Sequence, residues 1–458
     1  MNDGRDDRSA SSDAPAHAAS FIHELAWADL PADVVLQARR CLLDLVGVAA
    51  AGSRTRSAQL ATGYAVEQLG GSTRSARILF DGRRAGLAGA AFAGATTIDA
   101  VDAHDGHPLT KGHVGVAALP ALLAFIDGGA VACDGRELLA SLVLGYEIGT
   151  RAGMALHGTV ADYHCSGAWN ALAGAAIGAR LLRLDAATTR HALGVAEYFG
   201  PRGQMLRVCD HPTMLKDGSG WGAQAGVSAV LLAQAGFTGA PALTVEAMQT
   251  RALWSDLGMR WRIREQYFKP HPVCRWAQPA IEAALQLRRQ HGFAADEVTH
   301  VRIESFAEAV ALGSRCPRPA TTDEAQYSIT YPVAAALVFG AMDASALEPA
   351  ALGDARVARL LGATSLVEAP ELSRRFPAER LARVRVTLAD GRTLASVDTV
   401  ARGSAENPLD DAELHDKFHA LATPVIGRER AQRLQAQVAR LGEAGPVAGL
   451  LTDLLRAP

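Results

Sequence analysis

Residues 167–182 read GAWNALAGAAIGARLL. The run has none of the period-two alternation of a half-buried strand, and its Ala and Leu favour a helix. With so many small side chains, such a helix packs at short range, as buried central helices do. The same texture extends outward through Leu119–Ile126, Arg136–Leu156, Ala186–Glu197 and Gly222–Ala235. Nearer the start, Val34, Val35, Ala38, Cys41, Leu42 and Leu45 form one helical stripe, with Asp33 placed after Pro31 to cap it. Residues 17–267 are therefore expected to build a large all-helical domain.

The texture changes near residue 268. Val298–Ser305 (VTHVRIES) alternates apolar and polar residues, as do Val384–Leu388 and Thr393–Val397 on either side of Ala389-Asp390-Gly391. An Asp-Gly between two alternating runs predicts a hairpin. Helical patterns at Gln278–Arg289, Val333–Phe339 and Ala355–Leu361 lie between these strands, so residues 268–401 read as a small α+β domain. Asp411–Ala422 and Arg428–Leu441 are helical again, and residues 402–458 are expected to fold back onto the first domain. The polar residues 1–16 read as a flexible leader without the apolar stretch of a signal peptide.

Composition narrows the function classes. The 458 residues carry 45 Lys and Arg against 48 Asp and Glu, a net charge of −3, which argues against nucleic acid as a partner. No apolar run approaches the ~20 residues of a membrane span, so no membrane partner is expected and a cytoplasmic location is. The six cysteines show no CxxC pair, which points to free thiols rather than a zinc knot or disulfide framework.

Five clusters carry candidate chemistry. Asp99, Asp102, His104, Asp105, His107, Lys111 and His113 fall within 15 residues. They read as a polar loop, as a metal site using Asp102, His104 and His107, or as a metal-free acid/base site. The HxxH here lies on a loop with Gly and Pro and lacks the i, i+4 geometry of a helical zinc motif. His164 and Cys165 precede the 167–182 helix, whose positive end would favour a neutral imidazole. Lys216 leads into Gly218-Ser-Gly220-Trp-Gly222, a helix start able to hold a carboxylate but not a dinucleotide or P-loop motif. Lys269, His271 and Arg275 mark the change of texture, where cations could bind a carboxylate. Tyr331 opens an apolar helix, where packing of its ring is the plainer reading.

Together these segments resemble the MmgE/PrpD family. LPADVVLQARRCLLDLVGVAAAG, DAVDAHDG, GYEIGTRAG, LKDGSGWGAQAGVSAVLLAQAGFTG, FKPHPVCRWAQPAI, DEAQYSITYPVAAAL and ENPLDDAELHDKF occur in the family's order across residues 20–420. The family includes 2-methylcitrate dehydratase, cis-aconitate decarboxylase and iminodisuccinate epimerase. The resemblance implies a mainly α fold, a large helical domain with a smaller α+β lid, usually as a homodimer, and a cofactor-free active site in the cleft between them. It implies catalytic roles for Asp99, His113, His164, Lys216 and Tyr331. Lys269 is the family's lysine at the lid junction. Asp102, His104, Gly220 and Arg275 are taken as further substrate contacts, with no metal. The family's D-[F/Y]-D-D is here Asp99-Ala-Val-Asp102, a longer stretch separates Asp99 from His113, and Cys274 stands where some decarboxylating members carry a histidine.

The expected activity is a lyase that removes water or carbon dioxide from a di- or tricarboxylic acid by proton transfer next to a carboxylate, similar to 2-methylcitrate dehydratase. An epimerase or isomerase of a dicarboxylate and an inactive helical binding protein are the alternatives. Lys216 and Lys269 are expected to supply charge, and His113, its tautomer fixed by Asp99, to move the proton.

Overall fold

A computed structural model describes residues 14–71, 73–129, 132–443 and 445–458. Of the leader expected over residues 1–16, residues 1–13 lie outside the described residues, and 14–16 already belong to the first helix. One apolar core draws on residues from Ala18 to Phe268 and again from Leu409 to Leu455. A second core takes Val208, Cys209 and residues between Val273 and Leu388.

Nine helices supply most of the first core: α1 (Ala14–Glu24), α2 (Ala32–Gly52), α3 (Arg56–Gln68), α4 (Leu87–Asp99), α5 (Gly115–Asp127), α6 (Gly135–Thr159), α7 (Gly167–Leu181), α8 (Ala186–Phe199) and α10 (Ser219–Gln234), while the short α9 (Met205–Asp210) contributes to the second. Helix α7 packs against α5, α6, α8 and α10. A Cβ at Gly226 of α10 would lie 2.3 Å from the Ala171 carbonyl oxygen of α7, so only glycine permits this approach. The small-residue helices thus occupy the centre, where their reach into neighbours is least.

Two local expectations are corrected. Asp33 does not cap α2: Pro31 occupies the N-cap, and Asp33 in the first turn pairs with Arg264 at 2.7 Å. The helical part also contains an antiparallel hairpin, β1 (Ser75–Arg77) with β2 (Arg84–Gly86). Strands of three residues are too short to show a period.

The second core lies on a sheet ordered β4 (Thr364–Glu368), β3 (Val298–Ser305), β5 (Leu381–Leu388), β6 (Thr393–Ala395), with β7 (Thr399–Val400) also pairing β5. β3 runs parallel to β4 and antiparallel to β5. The β5–β6 hairpin turns at Asp390-Gly391, where Gly391 takes φ +87° at no steric penalty. Helices Gln278–His291 and Thr330–Phe339 pack on this sheet and on each other. The C-terminal helix Asp411–Ile426 returns to lie along α2. The molecule is therefore mainly α with one small sheet unit. No described helix is long and apolar enough to cross a membrane.

Candidate active site

Four segments converge between the two cores. Helix α4 ends at Asp99, and the chain turns through Ala100–Asp105 before reaching His113 ahead of α5. Lys417, from the C-terminal helix, supports this turn: its Nζ lies 2.5 Å from Asp44 Oδ1 and donates to the Ala103 carbonyl at 2.7 Å. Lys216 reaches in from the turn before α10, Lys269 from the strand-like segment after the helical part, and Gln326 from the short helix Thr322–Gln326.

His113 is the clearest proton-handling group. Its Nδ1 lies 2.6 Å from the Asp105 carbonyl oxygen, which can only accept, so Nδ1 carries the proton and Nε2 the lone pair. The expected partner was Asp99; a backbone carbonyl performs that task instead. Burial, and then the charge of Lys269, push the imidazole down to about 4, so it is neutral at pH 7. The His113 peptide N–H donates to Ser166 Oγ at 2.8 Å, and that hydroxyl in turn donates to Asp217.

The carboxylates divide by environment. Burial works against a charge on Asp102, but Lys269, ion-paired to it, and His113 hold it below its ordinary value. Asp99 is pushed up to about 6, chiefly by burial, while accepting from the Ser219 peptide N–H at 3.2 Å. Asp99 thus fills the anion position at the start of α10 that the sequence leaves open for a substrate. Asp217 is pushed well above the carboxylate range by burial and then by Asp99. Asp105 rises to about 7 through burial and Asp44, its Oδ2 receiving the Tyr146 hydroxyl at 2.7 Å.

His104 lies against His113 with ring centroids 4.2 Å apart, and its Nε2 is 3.7 Å from Asp99 Oδ1. It is 1% exposed, and neither ring nitrogen has a hydrogen-bond partner among the described residues. Burial, His113 and Lys269 hold it well below the usual histidine range. Lys216 Nζ donates to Gln326 Oε1 at 2.9 Å and pairs with Asp323 Oδ1 at 2.7 Å. The same Gln326 oxygen receives the Asp102 peptide N–H at 2.9 Å, so one amide ties Lys216 to the turn after α4.

The structure thus brings Asp99, Asp102, His104, His113, Lys216 and Lys269 together. The remaining expected site residues have other contacts. Tyr331 is fully buried in the second core, where its hydroxyl donates to the Ala346 carbonyl at 2.5 Å. An apolar helix start buries its ring, as packing alone demands. His164 is partly buried, and its peptide N–H donates to His157 Nε2 at 3.2 Å. Gly220 lies against α4, where a Cβ would meet Thr96 Oγ1 at 2.2 Å, so it serves packing rather than a ligand. Arg275 donates to the Arg402 carbonyl at 2.6 Å and stacks over Tyr267 at 4.5 Å. His107 is bound to Glu265 at 2.9 Å, which removes it from any set with His104. Asp102, His104 and His113 do place ligand atoms within 4.8 Å of one another, and this trio is the metal-capable group among the described residues. Two of its members are already engaged, Asp102 by Lys269 and His113 Nδ1 by Asp105.

Asp217, Asp323 and Gln326 join the site without a sequence signal of their own. They stand within motifs that the sequence displays, but nothing in spacing says that they cross between segments. Tyr327 belongs with them, its ring 5.7 Å from Lys216 Nζ.

A mainly helical scaffold with a small sheet unit and a lysine- and histidine-lined site between its two cores is the frame of a known family. The chain belongs to the MmgE/PrpD family: the family's N-terminal domain matches residues 16–254 and its C-terminal domain residues 271–443. Among its relatives, the cis-aconitate decarboxylase-like protein oryM of Aspergillus oryzae is 27% identical over 470 residues, spanning 95% of this chain and 96% of that protein. The cis-aconitate decarboxylase of Aspergillus terreus is 23% identical over 99% of this chain and 98% of its own length. That of Homo sapiens is 25% identical over 96% and 94%.

Proposed function

We propose that the protein is a lyase acting on a tricarboxylic acid, with His113 moving the proton and Lys216 and Lys269 holding substrate carboxylates. The observation that carries this reading is the His113 tautomer: Nδ1–H is spent on Asp105, and a neutral Nε2 lone pair remains beside Lys269. The relatives named for cis-aconitate decarboxylation support the substrate class. Loss of water or of carbon dioxide places negative charge on a carbon beside a carboxylate, and fixed ammonium groups lower the energy of that charge. In dehydration His113 Nε2 takes the proton from that carbon while a neighbouring acid protonates the departing hydroxyl. In decarboxylation the C–C electron pair stays with the substrate as carbon dioxide leaves, and the carbon then receives a proton. Asp217 and Asp99, whose carboxyls are raised by burial, are the nearby acids. His104, buried with both ring nitrogens unsatisfied, is a further contact for a polar substrate group, because such groups rarely stay unpaired.

The sheet-bearing unit, residues 268–401, is proposed as a lid over this site. A homodimer is proposed as well: Tyr198, Phe199, Leu215 and Trp221, each at least half exposed, lie in segments flanking the Lys216 turn. Light scattering at micromolar concentration reads the mass directly.

Proton NMR in D₂O with a panel including cis-aconitate and 2-methylcitrate tests the activity. A new alkene product with loss of substrate is expected. Exchange of the proton beside a carboxylate without elimination would replace this reading by an epimerase. Stoichiometric metal in the purified protein, with activity lost to a chelator, would move the chemistry to Asp102, His104 and His113.

A further inference from the structure

A cleft of about 1080 Å³ opens between the helical part and the sheet-bearing unit. Arg54 and Arg56 line one wall, Thr321 and Asp323 the other, and Ala100 and Val101 the base. Three of these positions touch the candidate site. Ala100 and Val101 belong to the turn between Asp99 and Asp102, and Asp323 holds Lys216 at 2.7 Å.

The two site lysines differ in what neutralises them. Lys269 is paired with Asp102, which is 8% exposed and belongs to the site's own floor. The partner of Lys216 comes from the opposite wall and has its side chain 16% exposed at the cleft edge. A buried ammonium without a counterion is strongly unfavourable, so Lys216, with a side chain 3% exposed, needs a carboxylate whether or not substrate is present. Exchanging one carboxylate for another on the same ammonium avoids that penalty. Lys216 is also poised on a left-handed backbone, φ +47°, a conformation that non-glycine residues adopt at constrained positions.

We propose that Asp323 is a resident stand-in for a substrate carboxylate, and that a polycarboxylate arriving through this cleft displaces it from Lys216. Arg54 and Arg56, which have no acidic partner among the described residues, are the first cations such a substrate meets. Asp343 and Glu348 share the wall of Asp323, so the anion's path follows the arginine side. Asp323 acts as a positioning residue, since it competes for Lys216 and leaves the reacting atoms untouched. The inference rests on Lys216 being a carboxylate-binding group of the proposed lyase.

The test measures binding of tricarballylate, a saturated tricarboxylate with no leaving group. Asp323→Asn should bind it about tenfold more tightly by calorimetry, the scale of one partly buried charge pair removed from competition, and Asp323→Glu should restore the weaker value. The ligand-induced rise in melting temperature should be larger for Asp323→Asn than for the parent, because its unliganded form leaves Lys216 without its ion-pair partner. A purely structural Asp323 would give equal or weaker binding, and that result overturns the proposal. The Arg54→Gln, Arg56→Gln double variant should lower the association rate at low ionic strength and leave the dissociation rate in place; an unchanged association rate removes the cleft as the route. Lys216→Met separates the two readings. If it loses binding while Asp323→Asn gains none, only the exchange falls; if it binds tricarballylate as well as the parent, the assignment of Lys216 itself falls.

Discussion

Two histidine-bearing loops precede apolar helices in this chain, residues 99–113 before α5 and residues 162–166 before α7. In the sequence they look alike: each offers histidine and aspartate just ahead of a small-residue helix. In the folded chain they differ. The first is enclosed between the two cores, where His104 and His113 are neutral and two lysines stand beside Asp102 and Gln326. In the second, Ser166 reaches inward to the first loop, but the peptide of His164 is bound to His157 and its side chain is only partly buried. What makes a histidine a candidate base here is its burial beside fixed cations, and not its place ahead of a helix.

Substitutions sharpen that contrast. His113→Ala should lower turnover by ~10²–10⁴-fold, the scale of a positioned acid or base, with circular dichroism confirming the fold. Near-normal turnover would remove the first loop from the chemistry. Lys269→Met should shift the titration of His113 to higher pH. The lysine's charge disfavours imidazolium, so its removal, together with the release of Asp102, raises a pKa that stands at about 4. The imidazole resonances of isotope-labelled protein report this directly, and the acid limb of kcat/KM should move the same way. An unmoved titration would mean that burial alone sets it. His164→Ala should reduce turnover by less than about tenfold, short of what a positioned acid or base supplies, and a loss equal to that of His113→Ala would erase the distinction between the loops. Tyr331→Phe should reduce stability by about 1 kcal/mol, the net worth of one buried hydrogen bond, with turnover almost unaltered; thermal melts and steady-state assays read the two effects separately.

The helical segments were legible because their periods are long. Val34 to Leu45 and Gly167 to Leu182 repeat the pattern over several turns, and α2 and α7 cover those residues up to Leu181. The hairpin at Asp390-Gly391 was legible from turn chemistry. β4 was not: every residue in it except the exposed Glu368 is only partly buried, so Thr364–Glu368 shows no alternation to detect. Asp99 as the tautomer partner of His113 was a reasonable expectation from proximity in the chain. A backbone carbonyl took that place, and no side-chain motif reveals a carbonyl.

The sequence by itself determined the family, the mainly helical architecture and the residue types at the site, because these follow from periodicity and from motifs in a fixed order. Only the tertiary structure decided which of those residues meet. Gln326, 110 positions from Lys216 and 224 from Asp102, joins both through one amide oxygen, and Asp323 crosses from the opposite wall to neutralise Lys216. Tyr331, five residues on from Gln326, turns instead into the second core. Hydrogen bonds act over about 3 Å whatever the separation along the chain, so the pairing of charges is a property of packing, to which local pattern is blind.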